Sequence, residues 1–324
     1  MATIDSSHSY RGSAGDYTAE SQWDTAFVEV DIPSSIDGKI QKAYMYRSKK
    51  EMPQPLIISL HTWSGNYTQI DPLANEILTR DWNYIHPDFR GQNWTPDAMC
   101  SSLAIADIED AIHYALANTC SNPQDVHIIG LSGGGFATLA AYMQIEYPVK
   151  SFSAWVPISD IEAWYWESVG RKEGYAQDIL NAISANQTLN QEEAIRRSPL
   201  KQAFPGKKRK NAQLSIYGGI HDGYDGPVPI THSIYMYNRI VGELKYGISE
   251  TDEILVKAIS DPDLVSERHI INLLTKRINP EYPKEGMLLD RNIHFLRQYN
   301  NIKLTIFEGE HEILPQALQL IPNL

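Results

Sequence analysis

The chain has 324 residues, 42% hydrophobic, 10% aromatic and 21% charged, the balance of a globular protein long enough to bury a sizeable core. Its formal net charge of −12 argues against nucleic acid as a partner, and the basic cluster Lys207-Lys208-Arg209-Lys210 reads as a solvated turn. No apolar run approaches the ~18 residues of a membrane span, and two cysteines, Cys100 and Cys120, are too few for a disulfide scaffold or a zinc knuckle.

Residues 1–25 are polar and serine-rich, a lead-in without the apolar core of a secretion leader. As written, the chain is expected in the cytoplasm; one trimmed of a leader would read the same and be periplasmic or secreted. Thr25 to Ile32 alternates as a strand, Ser34 to Lys39 supplies turn residues, and Gln41 to Arg47 reads as the hairpin partner. Pro55 to His61 is a continuous apolar run, as expected of a strand buried on both faces. A helix over Ile70 to Thr79 and a strand over Trp82 to His86 follow. Leu103, Ile105, Ile108, Ile112 and Leu116 then form a stripe at helical spacing across residues 101–118.

Val126 to Gly130 reads as the next buried strand and Phe136 to Tyr147 as the next helix. Further strands are expected over Phe152 to Ile158, Ala212 to Gly218 and Ile302 to Phe307. A hairpin followed by β-α units implies an α/β fold, a mostly parallel central sheet with helices on both faces. Residues 26–324 read as one such domain. Two stretches exceed what the rhythm needs: residues 159–210, a candidate cap, and residues 246–292, a second helical insertion placed at the periphery or at a subunit contact. Homo-oligomerisation is left open.

Gly130-Leu131-Ser132-Gly133-Gly134 is a G-x-S-x-G string between a buried strand and an amphipathic helix, the setting of a nucleophile elbow. A helix N-terminus there presents free N–H groups and partial positive charge to a developing oxyanion. A serine hydroxyl needs a base, and the base is a histidine held by a carboxylate. Of ten histidines, His8 lies in the lead-in, His86 and His127 in strands, and His113, His232, His269 and His294 in helical surroundings. His311 follows the last strand after a short loop, Glu308-Gly309-Glu310, and precedes a closing helix. Two acids compete after the Ala212 strand. Asp222 lies nearer the strand end and is preferred; Asp225 is the alternative, more at home in a turn. His311-Glu312 lacks the second histidine of H-E-x-x-H, so no metal and no cofactor is expected.

With these residues assembled, the chain resembles the α/β-hydrolases, and within that fold it is similar to the catalytic domain of prolyl oligopeptidase-type (S9) hydrolases and related carbohydrate esterases. The resemblance rests on Gly130-Leu-Ser-Gly-Gly-Gly135, Pro87-Asp-Phe-Arg-Gly91, Arg197-Ser-Pro199, Val228-Pro229 and Gly309-Glu-His311, and covers about residues 25–324. It implies a Ser132-Asp222-His311 triad and an oxyanion hole formed by the N–H groups of Gly133 and Trp63. Thr62 stands where glycine is usual, and the β-propeller that precedes S9 catalytic domains has no counterpart in the ~25 residues before the first strand.

Trp63, Trp94, Trp155, Trp164, Tyr165, Trp166 and Tyr224 fall in or beside loops at predicted strand ends, where aromatic faces suit sugar rings, aromatic acyl groups or apolar side chains. Trp164, Trp166 and Tyr224 are the candidate substrate contacts, and Arg90 could meet a carboxylate such as a uronic acid. The leading expectation is a serine esterase acting on a decorated carbohydrate or similar small-molecule ester. An S9-like peptidase or aminoacyl hydrolase is the alternative enzyme, and a non-catalytic binding protein of the same fold the alternative of another class.

Overall fold

The computed structural model describes residues 22–276 and 285–321. Most of the expected lead-in, and residues 277–284 of the second insertion, lie outside them. Where the lead-in enters view it is packed, with the Trp23 ring stacked 4.8 Å from that of Tyr44.

The main sheet begins with β1 (Val28–Pro33) and β2 (Ile40–Tyr46), an antiparallel hairpin in which Val28 pairs with Met45 and Pro33 with Ile40. β3 (Gln54–Leu60), β4 (Asn83–Pro87), β5 (Ser121–Leu131) and β6 (Ser151–Trp155) follow. A small separate hairpin, β7 (Ser184–Ala185) and β8 (Thr188–Leu189), precedes β9 (Gln213–Gly219). The last strands are β10 (Met287–Leu288), β11 (Arg291–Tyr299) and β12 (Ile302–Phe307). In space the order is β1-β2-β4-β3-β5-β6-β9-β12-β11-β10. From β4 to β12 neighbours are parallel, and at both edges they are antiparallel.

Alternation along the buried strands divides the core in two. On β3, Leu56, Ile58 and Leu60 face one cluster and Ile57 the other; on β5, Val126 and Ile128 oppose Ile129 and Leu131. The first cluster takes the apolar faces of α2 (Ser102–Asn118), α3 (Gly133–Gln144) and α7 (Thr231–Tyr246); the second takes α1 (Ala74–Arg80) and the C-terminal Leu314 and Leu318. α2 begins where the Ser101 hydroxyl accepts from the Ala104 N–H at 3.2 Å, a side-chain N-cap.

The first insertion supplies α4 (Ile161–Arg171), α5 (Tyr175–Ile183) and α6 (Gln191–Arg197). Asp160 caps α4 by accepting from the N–H groups of Glu162 and Ala163, and Asn190 caps α6. The second insertion departs from expectation. It contributes α8 (Thr251–Ala258) and α9 (Glu267–Lys276), but then returns as β10 and β11 to extend the sheet beyond β12. His294, expected in a helix, is therefore a strand residue. Ile293, His294 and Phe295 are buried in succession, and pairing with β12 slips between Ile293 and Phe295. Such a bulge erases the period of two by which a strand is read. Among the described residues after His311, a short 3₁₀ turn, Ala317–Leu320, stands in place of the expected closing helix.

Candidate active site

Because β5, β9 and β12 run parallel, the residues that follow them emerge at one edge of the sheet, the edge where α/β proteins bind ligands. Ser132 follows β5, Asp222 follows β9 and His311 follows β12. Ser132 has φ 58° and ψ −116°, a conformation that L-residues rarely adopt and that persists only where the surroundings impose it. Here they do: its N–H donates to the Trp155 carbonyl at 2.9 Å and its carbonyl accepts from Phe136 at 2.8 Å. The glycines after it let α3 start against β3 and its loop. A Cβ on Gly134 would stand 2.1 Å from the Leu60 carbonyl oxygen, and one on Gly133 2.3 Å from the Trp63 nitrogen.

His311 Nδ1 lies 2.7 Å from Asp222 Oδ2. The other oxygen of Asp222 accepts from the N–H groups of Gly223 at 2.9 Å and Val228 at 3.0 Å. With its side chain only 2% exposed, this carboxylate is held in one orientation from three sides. His311 Nε2 is buried and has no hydrogen-bond partner among the described residues, so Ser132 and His311 are not bonded to each other here. Catalytic hydrogen bonds of this kind are often long until substrate is bound. Asp225 is not at the imidazole; it lines an adjoining cavity.

Trp63 and Gly133 are brought together. The Trp63 N–H has no protein partner among the described residues, and Gly133 is the first residue of α3, where an N–H has no intrahelical acceptor. Thr62 does not loosen this loop. Its N–H and hydroxyl both reach Gln69 Oε1, at 2.7 and 3.1 Å, while His61 below it stacks on Phe89 at 3.9 Å. Burial pushes the His61 imidazole below its ordinary pKa.

A cavity of about 530 Å³ adjoins these groups, lined by Arg171, Glu173, Tyr175, Asp178, Tyr224 and Asp225 among others. Its wall residue Gly226 is so close to the pair that a Cβ there would lie 2.3 Å from Asp222 Oδ1 and 2.8 Å from His311 Cβ. Asp178, on α5, accepts from the Trp63 indole at 3.1 Å, and burial raises its pKa despite that bond. The Tyr175 hydroxyl is also raised, first by burial and then by the charges of Glu173, Asp178 and Asp222. Among the described residues, no group of three His, Cys, Asp or Glu side chains is placed to hold a metal ion. No helix among them is long and apolar enough to cross a membrane.

The expected substrate contacts fare differently. Tyr224 lines the cavity and is 67% exposed. Arg90 does not face it: the guanidinium is filled by Asp107 (2.6 and 3.0 Å), Asp37 (2.9 and 2.9 Å) and Ser34 (2.8 Å). Paired with two carboxylates and a hydroxyl, Arg90 ties elements of the fold together beside a different cavity, lined also by Lys39, Asp88 and Asp97. Trp164 is 1% exposed and sits edge-on to Trp63 at 4.7 Å, its indole N–H donating to the Pro227 carbonyl at 2.9 Å. It supports the site from within. Trp166, 59% exposed, lies on another face of α4, over a surface hollow shared with β7 and β8. A helix turns residues two apart to different sides, so Trp164 and Trp166 could not both face one substrate. Sequence reasoning missed Gln69, Tyr175 and Asp178, which reach the site only through the folding of the loop and cap.

A family model described as the alpha/beta hydrolase fold matches residues 55–183. Among solved structures the chain is similar to an acylaminoacyl peptidase of Pyrococcus horikoshii (17% identity, TM-score 0.54, covering 66% of this chain and 34% of that one). It is also similar to a puromycin-hydrolyzing peptidase of Mycobacterium tuberculosis (18%, 0.51, 65% and 33%) and to prolyl oligopeptidase B of Galerina marginata (15%, 0.52, 65% and 30%). The chain thus matches about a third of the length of each of these proteins. No curated protein matches it. At these identities the shared property is the fold alone: the chain has the α/β-hydrolase fold and is similar in it to a part of each of these longer peptidases.

Proposed function

We propose that this protein is a serine hydrolase working through an acyl-enzyme. Ser132 Oγ attacks the substrate carbonyl carbon while His311 Nε2 takes its proton. The N–H groups of Gly133 and Trp63 stabilise the oxyanion, and His311 returns the proton to the departing alcohol or amine. Water, deprotonated by the same nitrogen, then releases the acid and regenerates Ser132. Asp222 keeps His311 in the Nδ1–H tautomer and stabilises the imidazolium. The observation that carries this reading is the buried, unpartnered His311 Nε2 on an imidazole fixed at its other nitrogen by Asp222, at the sheet edge that carries a positive-φ serine.

On substrate, of the four residues expected to contact a sugar ester, Tyr224 lines the cavity, whereas Arg90 is paired with carboxylates, Trp164 is buried and Trp166 borders another hollow. The cavity carries three acidic side chains, Glu173, Asp178 and Asp225, against one cationic, Arg171, which is itself paired with Glu173 at 3.2 Å. That lining supports an aminoacyl or short peptide substrate bearing a free amine, in line with the peptidase neighbours. Ester cleavage by the same serine is expected for activated esters, whose leaving groups need less help. A fluorophosphonate that labels wild-type protein but not Ser132→Ala tests the mechanism. A panel of aminoacyl anilides against acyl-sugar and uronate methyl esters tests the substrate. Faster turnover of the sugar esters would reverse the substrate assignment, and no labelling at Ser132 would favour a binding protein.

A further inference from the structure

One carboxylate links the sheet extension to both loops that carry the acid and the base. Glu308 is the first residue after β12, three before His311. Its Oε1 is 2.7 Å from Nε2 of His221, the residue before Asp222, and its Oε2 is 2.6 Å from Nε2 of His294 on β11. The backbone runs the same way: the Ile220 N–H donates to the Phe307 carbonyl at 2.9 Å, His221 to Gly309 at 3.0 Å, and Glu308 to Asn292 at 2.8 Å. One side chain therefore spans the loop that carries the acid, the loop that carries the base, and the strand added beside them.

We propose that Glu308, bridging His221 and His294, is a positioning residue that sets the Asp222–His311 geometry, and that this is what the added β10–β11 hairpin does for the reaction. The inference rests on the serine-hydrolase reading of the site. Two charge-assisted hydrogen bonds to one carboxylate are short and directional, so they fix the two loops more tightly than van der Waals contact alone. Those bonds hold the Glu308 carboxyl well below the usual carboxylate range, so the bridge stays ionised through the neutral region. The other charged groups around it are Arg291, whose Nη1 donates to the Glu308 carbonyl at 3.3 Å and whose Nη2 reaches Glu312 at 3.1 Å, together with Glu310 and Glu312 on the same loop. Glu308 is not among the residues that line the cavity; its carboxylate acts through His221 and His294.

The test reads the second-order rate of fluorophosphonate labelling at Ser132 in the full chain. Glu308→Gln keeps the shape but not the charge, and labelling should slow about tenfold, the cost of a modest misalignment at a reacting centre. In an Asp222→Asn background the same change should have almost no further effect, because the geometry it protects no longer matters. His294→Leu should slow labelling as Glu308→Gln does, while His294→Gln, which keeps an N–H donor, should restore most of the rate. Full-rate labelling of either Glu308→Gln or His294→Leu overturns the inference. So does a loss that multiplies with Asp222→Asn, which would mark a general structural defect. Equal labelling of wild-type and Ser132→Ala would instead overturn the reading of the site.

Discussion

The two insertions are of similar length and interrupt the same β-α rhythm, yet they serve the site by opposite routes. Residues 159–210 leave β6 at the functional edge and fold into α4, α5 and α6, so that Tyr175 and Asp178 line the cavity and Trp164 buttresses Trp63. Residues 246–292 leave α7 at the far side, and their last part leads into the sheet, where Asn292 accepts from the Glu308 N–H and Arg291 reaches Glu312, on the loop that carries His311. An insertion at the ligand-binding edge can touch substrate directly. One that begins elsewhere must work through the scaffold. The difference follows from where each excursion leaves the sheet, not from its composition.

The sharpest break concerns what both insertions are argued to support. Ser132→Ala and His311→Ala should each cost on the order of 10⁴-fold or more in turnover, and the double variant should be scarcely slower than either. Losses that multiply would mean the two residues do not share a step. Asp222→Asn should cost on the order of 10³–10⁴-fold through the wrong imidazole tautomer, whereas Asp225→Asn should leave kcat within a few-fold and act mainly on KM for substrates bearing an amine. If Asp225→Asn stops turnover, the 2.7 Å bond between Asp222 and His311 is not the working one.

Within the cap, two tryptophans two residues apart separate structural support from surface. Trp164→Ala removes a buried indole packed between Trp63 and Tyr175 and should destabilise the protein by about 3–5 kcal/mol. It should also slow turnover, because Trp63 carries the candidate oxyanion N–H. Trp166→Ala should change stability by no more than about 0.5 kcal/mol and leave kinetics on small substrates unaltered. Denaturant unfolding of both variants measures this. A Trp166 variant as unstable as the Trp164 one would show that the cap is packed differently from the arrangement described.

Much of this was legible beforehand, for identifiable reasons. Strands buried on both faces, such as Leu56 to Leu60 and Val126 to Leu131, are written as mostly apolar runs, broken only by Ser59 in the first and by His127 and Gly130 in the second. The elbow shows itself because only glycine fits where α3 starts against β3 and the Thr62–Trp63 loop. Asp222 could be preferred over Asp225 because a residue next to a strand end inherits the strand's rigidity. What could not be read was anything set by long-range closure. β11 carries a bulge that hides its alternation, and Asp178 lies 115 positions from the indole it holds. Arg90 misled because a guanidinium that binds a ligand and one that ties the fold together have the same sequence signature.

A small, pH-dependent effect tests how the cap is fastened to the sheet domain. Arg197, at the end of α6, is buried and donates to the carbonyls of Ala98 at 2.8 Å and Pro96 at 2.9 Å. Glu193, one turn earlier, accepts from both Arg196 and Arg197. Its pKa is lowered to about 2, first by the Arg196 hydrogen bond, against an opposing contribution from burial. Since the folded value is depressed, Glu193 stabilises the protein above the ordinary carboxylate pKa, and that contribution fades as pH falls toward 2. The side chain is 32% exposed, and solvent screening limits the effect to about 1 kcal/mol. Glu193→Gln should therefore be less stable than wild type by about 0.5–1 kcal/mol in urea at pH 7, and the gap should close progressively between about pH 4.5 and pH 2. A gap that stays constant with pH would show that Arg197 secures the cap through its carbonyl contacts alone, without help from the ion pair.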